Sequence, residues 1–217
     1  MGNHAMVSAT ANLVFVVDDD DRVRTAFTRL FRSAGYNVLT FACAKDFLNR
    51  VDLQRSPACL VLDLQMPGMT GLELQRELEP AGIPIIFVTG HGDIESGVEA
   101  MKAGAVDFFT KPVLDAQLLS AVDQALQHAT RAFKVRCEKT EIVGRINQLS
   151  PRERQVMALV LTGRSNKQVA SELGAAETTI KIHRRRVMQK MRARSLVELL
   201  RLADKAGFSA IDEQSQH

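Results

Sequence analysis

Four consecutive aspartates, Asp18 to Asp21, follow the apolar run VFVV. Adjacent like charges repel, so such a cluster is useful only where something positive meets it. Asp63 closes a second apolar run, ACLVL, Thr89 closes PIIFV, and Lys111, with Pro112 behind it, follows DFFT. Three carboxylates gathered in one place call for a hard cation, and Mg²⁺ (or Mn²⁺) takes a few such oxygens plus waters and a phosphate. A carboxylate beside that ion and an ammonium can act as a nucleophile towards phosphorus, giving an aspartyl phosphate. The two cations then neutralise the oxygens of the transferring group. Within the cluster, Asp21 precedes the helix-compatible RVRTAF and is expected to be an N-cap; Asp20 has no assigned role.

These groups meet only if the chain between them brings them together. LVFVV (13–17), ACLVL (58–62) and PIIFV (84–88) are continuous rather than alternating apolar runs, as in strands covered on both faces. Helical periods lie between and after them: Val23, Phe27, Leu30 and Phe31; Phe47, Leu48 and Val51; Leu72, Leu74 and Leu78; Val98 and Met101; Leu118, Val122, Ala125 and Leu126. Gly and Pro punctuate their ends. Five strands alternating with five helices predict an α/β fold, a doubly wound five-stranded parallel sheet of the flavodoxin type. Sites in such sheets form at the carboxyl ends of strands, where Asp18, Asp19, Asp63, Thr89 and Lys111 lie.

The charge changes along the chain. Residues 1–112 hold 10 Lys and Arg against 14 Asp and Glu, a net of −4, and residues 113–217 hold 18 against 11, a net of +7. An acidic module joined to one that meets a polyanion is the physical reading of that asymmetry. From Ser150 onward the pattern is helical. Ser150, Pro151 and Glu153 read as an N-cap, a first-turn proline and a capping-box acid, and Ser165 caps a second helix. The turn GAAE then leads to TTIKIHRRRVMQKMRARS, and LVELLRLADKAG completes four helices, the parts of a helix-turn-helix. Ile180, Val187 and Met191 mark the inner side of the third, leaving seven cations between Lys181 and Arg194 to project as a stripe suited to a major groove. Between the modules, KVRCEKTE interrupts an apolar stripe, which leaves open one long helix or two with a hinge.

Cys43, Cys59 and Cys137 lack CxxC spacing, which suggests neither a zinc site nor a disulfide framework. No apolar run is long enough to span a bilayer, and no signal-peptide pattern opens the chain; MGNHAM has the character of a leader before a native Met6. A soluble, cytoplasmic protein is expected.

VVDDDD, LVLDLQMPGMTG, FVTG and TKP, in this order and spacing, resemble the receiver domain of two-component response regulators over roughly residues 12–127. The segment from LSPRERQ to MRARS resembles the LuxR-type helix-turn-helix, and the two together resemble the NarL/FixJ family. The resemblance implies a receiver over 12–127, a helical linker over 128–147 and a DNA-binding domain over 148–208. It implies Asp63 as phosphoacceptor, with Asp18, Asp19 and Asp63 as metal carboxylates and Gln65 as a backbone carbonyl ligand. Thr89 and Phe108 correspond to the switch pair and Lys111 to the phosphate-contacting lysine. Lys181, Ile182 and Arg185 match base-contacting positions; Asn166, Lys167, Thr178, Thr179, Arg186 and Lys190 match phosphate-contacting ones. The implied function is a transcriptional regulator, an activator, controlled by phosphoryl transfer from a sensor histidine kinase to Asp63. No enzyme activity beyond its own phosphorylation and dephosphorylation is implied. The implied partners are the kinase, double-stranded promoter DNA, RNA polymerase and a second copy on phosphorylation, with no membrane.

Two other readings fit less of the chain. Asp18-x-Asp20 matches the Asp-x-Asp of haloacid-dehalogenase-like phosphatases, but Arg22 stands where that family has Thr or Val, and the basic half is left without a purpose. An RNA-binding antiterminator lacks the aromatic platform that single-stranded RNA stacks on. Gly90 and Gly92 do not form a dinucleotide loop, because the third glycine of GxGxxG falls on Glu95. His91 is expected in a loop near the acidic site.

Overall fold

The computed structural model describes residues 12–53, 55–90 and 94–208, in two compact units that divide between Lys134 and Val135. In the first, strands β1 (Leu13–Val17), β2 (Asn37–Phe41), β3 (Ala58–Leu62), β4 (Ile85–Thr89) and β5 (Asp107–Thr110) form one parallel sheet in the order β2-β1-β3-β4-β5. Helices α1 (Asp21–Ser33), α2 (Ala44–Arg50), α3 (Gly71–Leu78), α4 (Ile94–Lys102) and α5 (Asp115–Asn147) alternate with the strands.

Successive strand residues point to opposite faces, which explains why the central strands are apolar throughout. Phe15, Val17, Leu60, Leu62 and Phe87 pack with Phe47 of α2, Leu74 of α3 and Ala100 of α4. Val14, Val16, Val61, Ile86 and Val88 pack on the other face with Phe27 and Phe31 of α1 and Leu118, Val122 and Ala125 of α5. Each fully buried Phe or Leu contributes about 1.5–3 kcal/mol relative to exposure. The chain leaves β1 for β2 on one side and later reaches β3 on the other, so a crevice opens between the carboxyl ends of β1 and β3.

The second unit contains α6 (Pro151–Leu161), α7 (Asn166–Glu172), α8 (Glu177–Met191) and α9 (Leu196–Ala206). Ser150 with Glu153 and Ser165 with Gln168 form complete capping boxes at the starts of α6 and α7. Val156, Val160, Val169 and Ile180 make one small core, and Met157, Val187, Met191 and Leu199 make another. The interrupted stripe between the modules forms one helix: α5 is 33 residues long. Its last turns place Ile142 and Ile146 in the second unit's core, so packing reaches back into the segment read as linker.

Helix α8 begins one residue earlier than the sequence pattern predicts and ends sooner. It starts at Glu177, the last residue of GAAE, because Ala176 is extended (φ −69, ψ 143). It stops at Met191, because Arg192 turns left-handed (φ 55) and returns its N–H to the carbonyls of Met188 and Gln189. Arg192 and Arg194 thus lie beyond the helix. Among the described residues, no helix is long and apolar enough to cross a membrane.

Candidate functional site

The sheet sets the acidic site by carrying its ladder one residue past the strands. The Asp63 N–H donates to the Val17 carbonyl at 2.9 Å, the Asp18 N–H to Phe41 at 3.2 Å and the Lys111 N–H to Thr89 at 2.8 Å. Asp18 and Asp63 are buried and Asp19 is exposed, and one oxygen from each lies within 4.8 Å of the others. The Lys111 Nζ donates to Asp18 Oδ2 at 2.6 Å and to Asp63 Oδ2 at 2.8 Å.

Burial pushes the Asp18 carboxyl above its ordinary range, against the pull of the Lys111 ammonium. Burial alone would lower the Lys111 ammonium, but its bonds to Asp18 and Asp63 outweigh that and hold it above its ordinary value. Three carboxylates meet one ammonium, so the pocket keeps an excess of negative charge. That donor set, hard oxygens from three residues with one side open, fits Mg²⁺ or Mn²⁺.

Gln65 lies beside this group, its N–H donating to Asp63 Oδ1 at 3.3 Å. Thr89 is buried at the end of β4. Phe108 in β5 sets its ring 6.2 Å from that of Phe87 and faces Gly97 of α4. His91 lies outside the described residues.

The structure reassigns two of the four aspartates. Asp20, not Asp21, is the N-cap of α1, its Oδ1 accepting from the Arg22 N–H at 2.8 Å. Asp21 is the first helical residue and pairs with Arg24 at 3.0 Å. The reason is a chain of turns: Asp18 Oδ1 takes the Asp20 N–H at 2.9 Å, which sets Asp20 in the extended conformation that a cap needs. Capping also engages the carboxylate that the phosphatase reading requires to be free.

Several positioning residues escaped the sequence reading. The Arg24 Nη1 donates to the Asp18 carbonyl at 2.8 Å. A Cβ on Gly71 would stand 2.3 Å from the Asp63 carbonyl oxygen and 2.9 Å from the Phe87 ring, so only glycine lets α3 begin this close to Asp63. Gln75 Nε2 donates to the carbonyls of Ala100 and Ala103, both at 3.1 Å, tying α3 to the end of α4. Ile94, Val98 and Met101 of α4 stay exposed beside a cleft of about 600 Å³ that Phe108 and Thr110 also line.

In the second unit, α8 separates into an inner side of Ile180, Val187 and Met191 and an outer side. Thr178, Lys181, Ile182 and Arg185 are exposed on that outer side, with Ile182 54% accessible despite its apolar side chain. Thr179, Arg186 and Lys167 are exposed as well, and Asn166 is half-buried at the start of α7. Lys190 is drawn inward instead: its Nζ lies 2.6 Å from Glu153 Oε2 and 3.1 Å from the Gln148 carbonyl. Burial would raise the Glu153 carboxyl, but Lys190 and the Ser150 N–H hold it below the usual carboxylate range.

Comparison with known proteins places each unit. Residues 14–123 match the family model of the response regulator receiver domain, and residues 147–203 that of the bacterial regulatory proteins of the luxR family. The chain is 47% identical over 211 residues to Nodulation protein W of Bradyrhizobium diazoefficiens, covering 96% of this chain and 92% of that protein. It is 44% identical over 202 residues to the response regulator protein TodT of Pseudomonas putida, covering 92% and 88%. A solved low-resolution structure of the response regulator StyR matches with a TM-score of 0.82 at 46% identity, over 89% of this chain and 98% of that one.

Proposed function

Because the chain belongs to the response regulators that join a receiver domain to a LuxR-type DNA-binding domain, and is a transcriptional regulator of a two-component system, we propose that Asp63 is its phosphoacceptor. The observation that carries this reading is the buried Asp63 carboxylate, 2.8 Å from the Lys111 ammonium and within 4.8 Å of the Asp18 and Asp19 oxygens. An Asp63 oxygen attacks the phosphorus of the kinase's phosphohistidine. The O–P bond forms as the P–N bond breaks, and the imidazole leaves with the electron pair. Asp18, Asp19, Asp63 and the Gln65 carbonyl would hold a divalent ion, which would supply charge neutralisation to the phosphoryl oxygens. Lys111, already in contact with Asp63, turns its ammonium to the same oxygens.

The Thr89 hydroxyl then moves to the new phosphoryl group and Phe108 follows it inward, shifting the population towards a changed α4–β5 surface. The exposed Ile94, Val98 and Met101 favour that surface as the contact between two copies. Two copies present two α8 helices to a two-fold related operator, with Lys181, Ile182 and Arg185 at base edges. Asn166, Lys167, Thr178, Thr179 and Arg186 meet the backbone. The protein acts in the cytoplasm, as an activator that engages RNA polymerase at the promoters it binds.

Incubation with acetyl phosphate and Mg²⁺ tests the assignment. The native chain incorporates phosphate and Asp63→Asn incorporates none; equal incorporation by the variant would overturn the reading.

A further inference from the structure

We propose that Arg184 and Asn166 form a two-helix clamp for one DNA-backbone phosphate, in the role that the sequence pattern gives to Lys190. The inference rests on the reading of α8 as the DNA-reading helix and adds a contact to it.

Side chains advance about 100° per residue around α8. With Ile180, Val187 and Met191 inward and Lys181, Ile182 and Arg185 outward, Arg184 and Lys190 fall on the two opposite flanks between those sides. Lys190's flank meets the start of α6, where the nearly buried Glu153 carboxylate neutralises the ammonium and the Gln148 carbonyl takes a second of its three donors. Little is left of that cation for a phosphate.

Arg184's flank meets the first residue of α7. Its Nη1 donates to Asn166 Oδ1 at 3.0 Å. The partner is a neutral amide, so the guanidinium keeps its full charge and the remaining four of its five N–H donors. The same bond fixes the orientation of Asn166: its oxygen is engaged, which leaves the NH₂ group as its donor edge. Two groups with N–H donors turned outward, from two helices, then stand side by side, carrying a net positive charge. An anion with several oxygens in a small space matches them, and a phosphodiester is the anion that a duplex offers. Arg184 lies one turn on from Lys181 but nearer the buried stripe, set back from the exposed line of Lys181, Ile182 and Arg185. That setback assigns the pair to the backbone rather than to base edges.

The test uses the full chain, phosphorylated with acetyl phosphate, and a random-sequence duplex titrated from about 50 to 200 mM salt. Arg184→Gln is expected to weaken binding about tenfold and to make the slope of log K against log salt shallower by about 0.9, the value for one lost phosphate. Asn166→Asp is expected to bind more weakly than Asn166→Ala, because the new carboxylate neutralises Arg184 and repels the phosphate while preserving the link between α7 and α8. Lys190→Gln keeps the native slope and lowers the thermal midpoint. A native slope for Arg184→Gln, Asn166→Asp binding as tightly as Asn166→Ala, or a slope loss in Lys190→Gln each overturns the clamp. The reading of α8 itself fails separately, if Lys181→Ala and Arg185→Ala bind as the native chain does.

Discussion

Lys111 and Asp18, joined at 2.6 Å, lie 93 positions apart in the sequence, and backbone bonds at the strand ends hold both in place. Lys181, Ile182 and Arg185 lie within little more than one turn of one helix and reach into solvent. In the acidic pocket, long-range convergence leaves like charges buried together with too few counter-charges, and that imbalance creates a capacity for a cation. Along α8 charge is plentiful, and packing decides which cation is available: Lys190 is neutralised by a carboxylate and Arg184 is held by an amide. A site of the first kind is sensitive to backbone placement. A site of the second kind is sensitive to the partners of individual side chains.

The sharpest break of that contrast comes at Gly71, which carries no chemistry. Gly71→Ala puts a methyl against the Asp63 carbonyl and the Phe87 ring. The clash is with backbone, so relief requires the loop to move, at a cost of about 3 kcal/mol or more. Phosphate incorporation from acetyl phosphate should fall at least about tenfold while all of the site's side chains remain present. Native incorporation by the variant would show that the pocket tolerates displacement as an exposed helix face does.

Legibility in the sequence follows the same line. The sheet was readable because β1, β3 and β4 are covered on both faces and therefore unbroken in apolarity. Asp63 and Thr89 were readable as the groups that end such runs, and Lys111 as the residue after the short edge strand DFFT. The N-cap was misplaced by one residue, because Asp20 and Asp21 are equally good caps and a turn set by Asp18 Oδ1 decides between them. The separate engagement of Lys190 and Arg184 was not readable either. Glu153 is 37 residues from Lys190 and Asn166 is 18 from Arg184, and only the packing of α6 and α7 against α8 brings them into contact. The length of α5 escaped for another reason: KVRCEKTE is mostly polar and breaks the apolar stripe, which leaves helix and hinge indistinguishable by periodicity.

A smaller effect tests the second kind of site through its internal pair. Glu153→Gln leaves the Lys190 ammonium beside a neutral amide and should destabilise the DNA-binding unit by about 1–3 kcal/mol, read as faster amide hydrogen exchange in α6 and α8. The pair also sets a pH dependence. A carboxyl held below its unfolded value binds protons more weakly when folded, so its stabilisation is complete above the unfolded pKa of about 4.3. It is lost as the pH falls through the lower folded value. The native unit should therefore lose protection on acidification through this window, and Glu153→Gln should lose less over the same range. An identical acid response in both would mean that Lys190 is not tied inward, and the contrast with Arg184 would collapse.

The smallest expected change lies at the end of α8, where the backbone rather than charge sets the boundary. Arg192 holds φ 55, a left-handed conformation that costs a non-glycine residue roughly 1–2 kcal/mol. It also pairs with Glu141 of α5 at 3.6 Å, but both side chains are well exposed, so solvent screens that attraction. Arg192→Gly removes the backbone cost and the weak pair together, so a net stabilisation of about 1 kcal/mol is expected, seen as a rise in the second unit's urea midpoint. Arg192 lies past the helix end, so the salt slope of duplex binding should stay at its native value. A slope reduced by about 0.9 would instead put Arg192 on the phosphate backbone and extend the DNA-contacting surface beyond Met191.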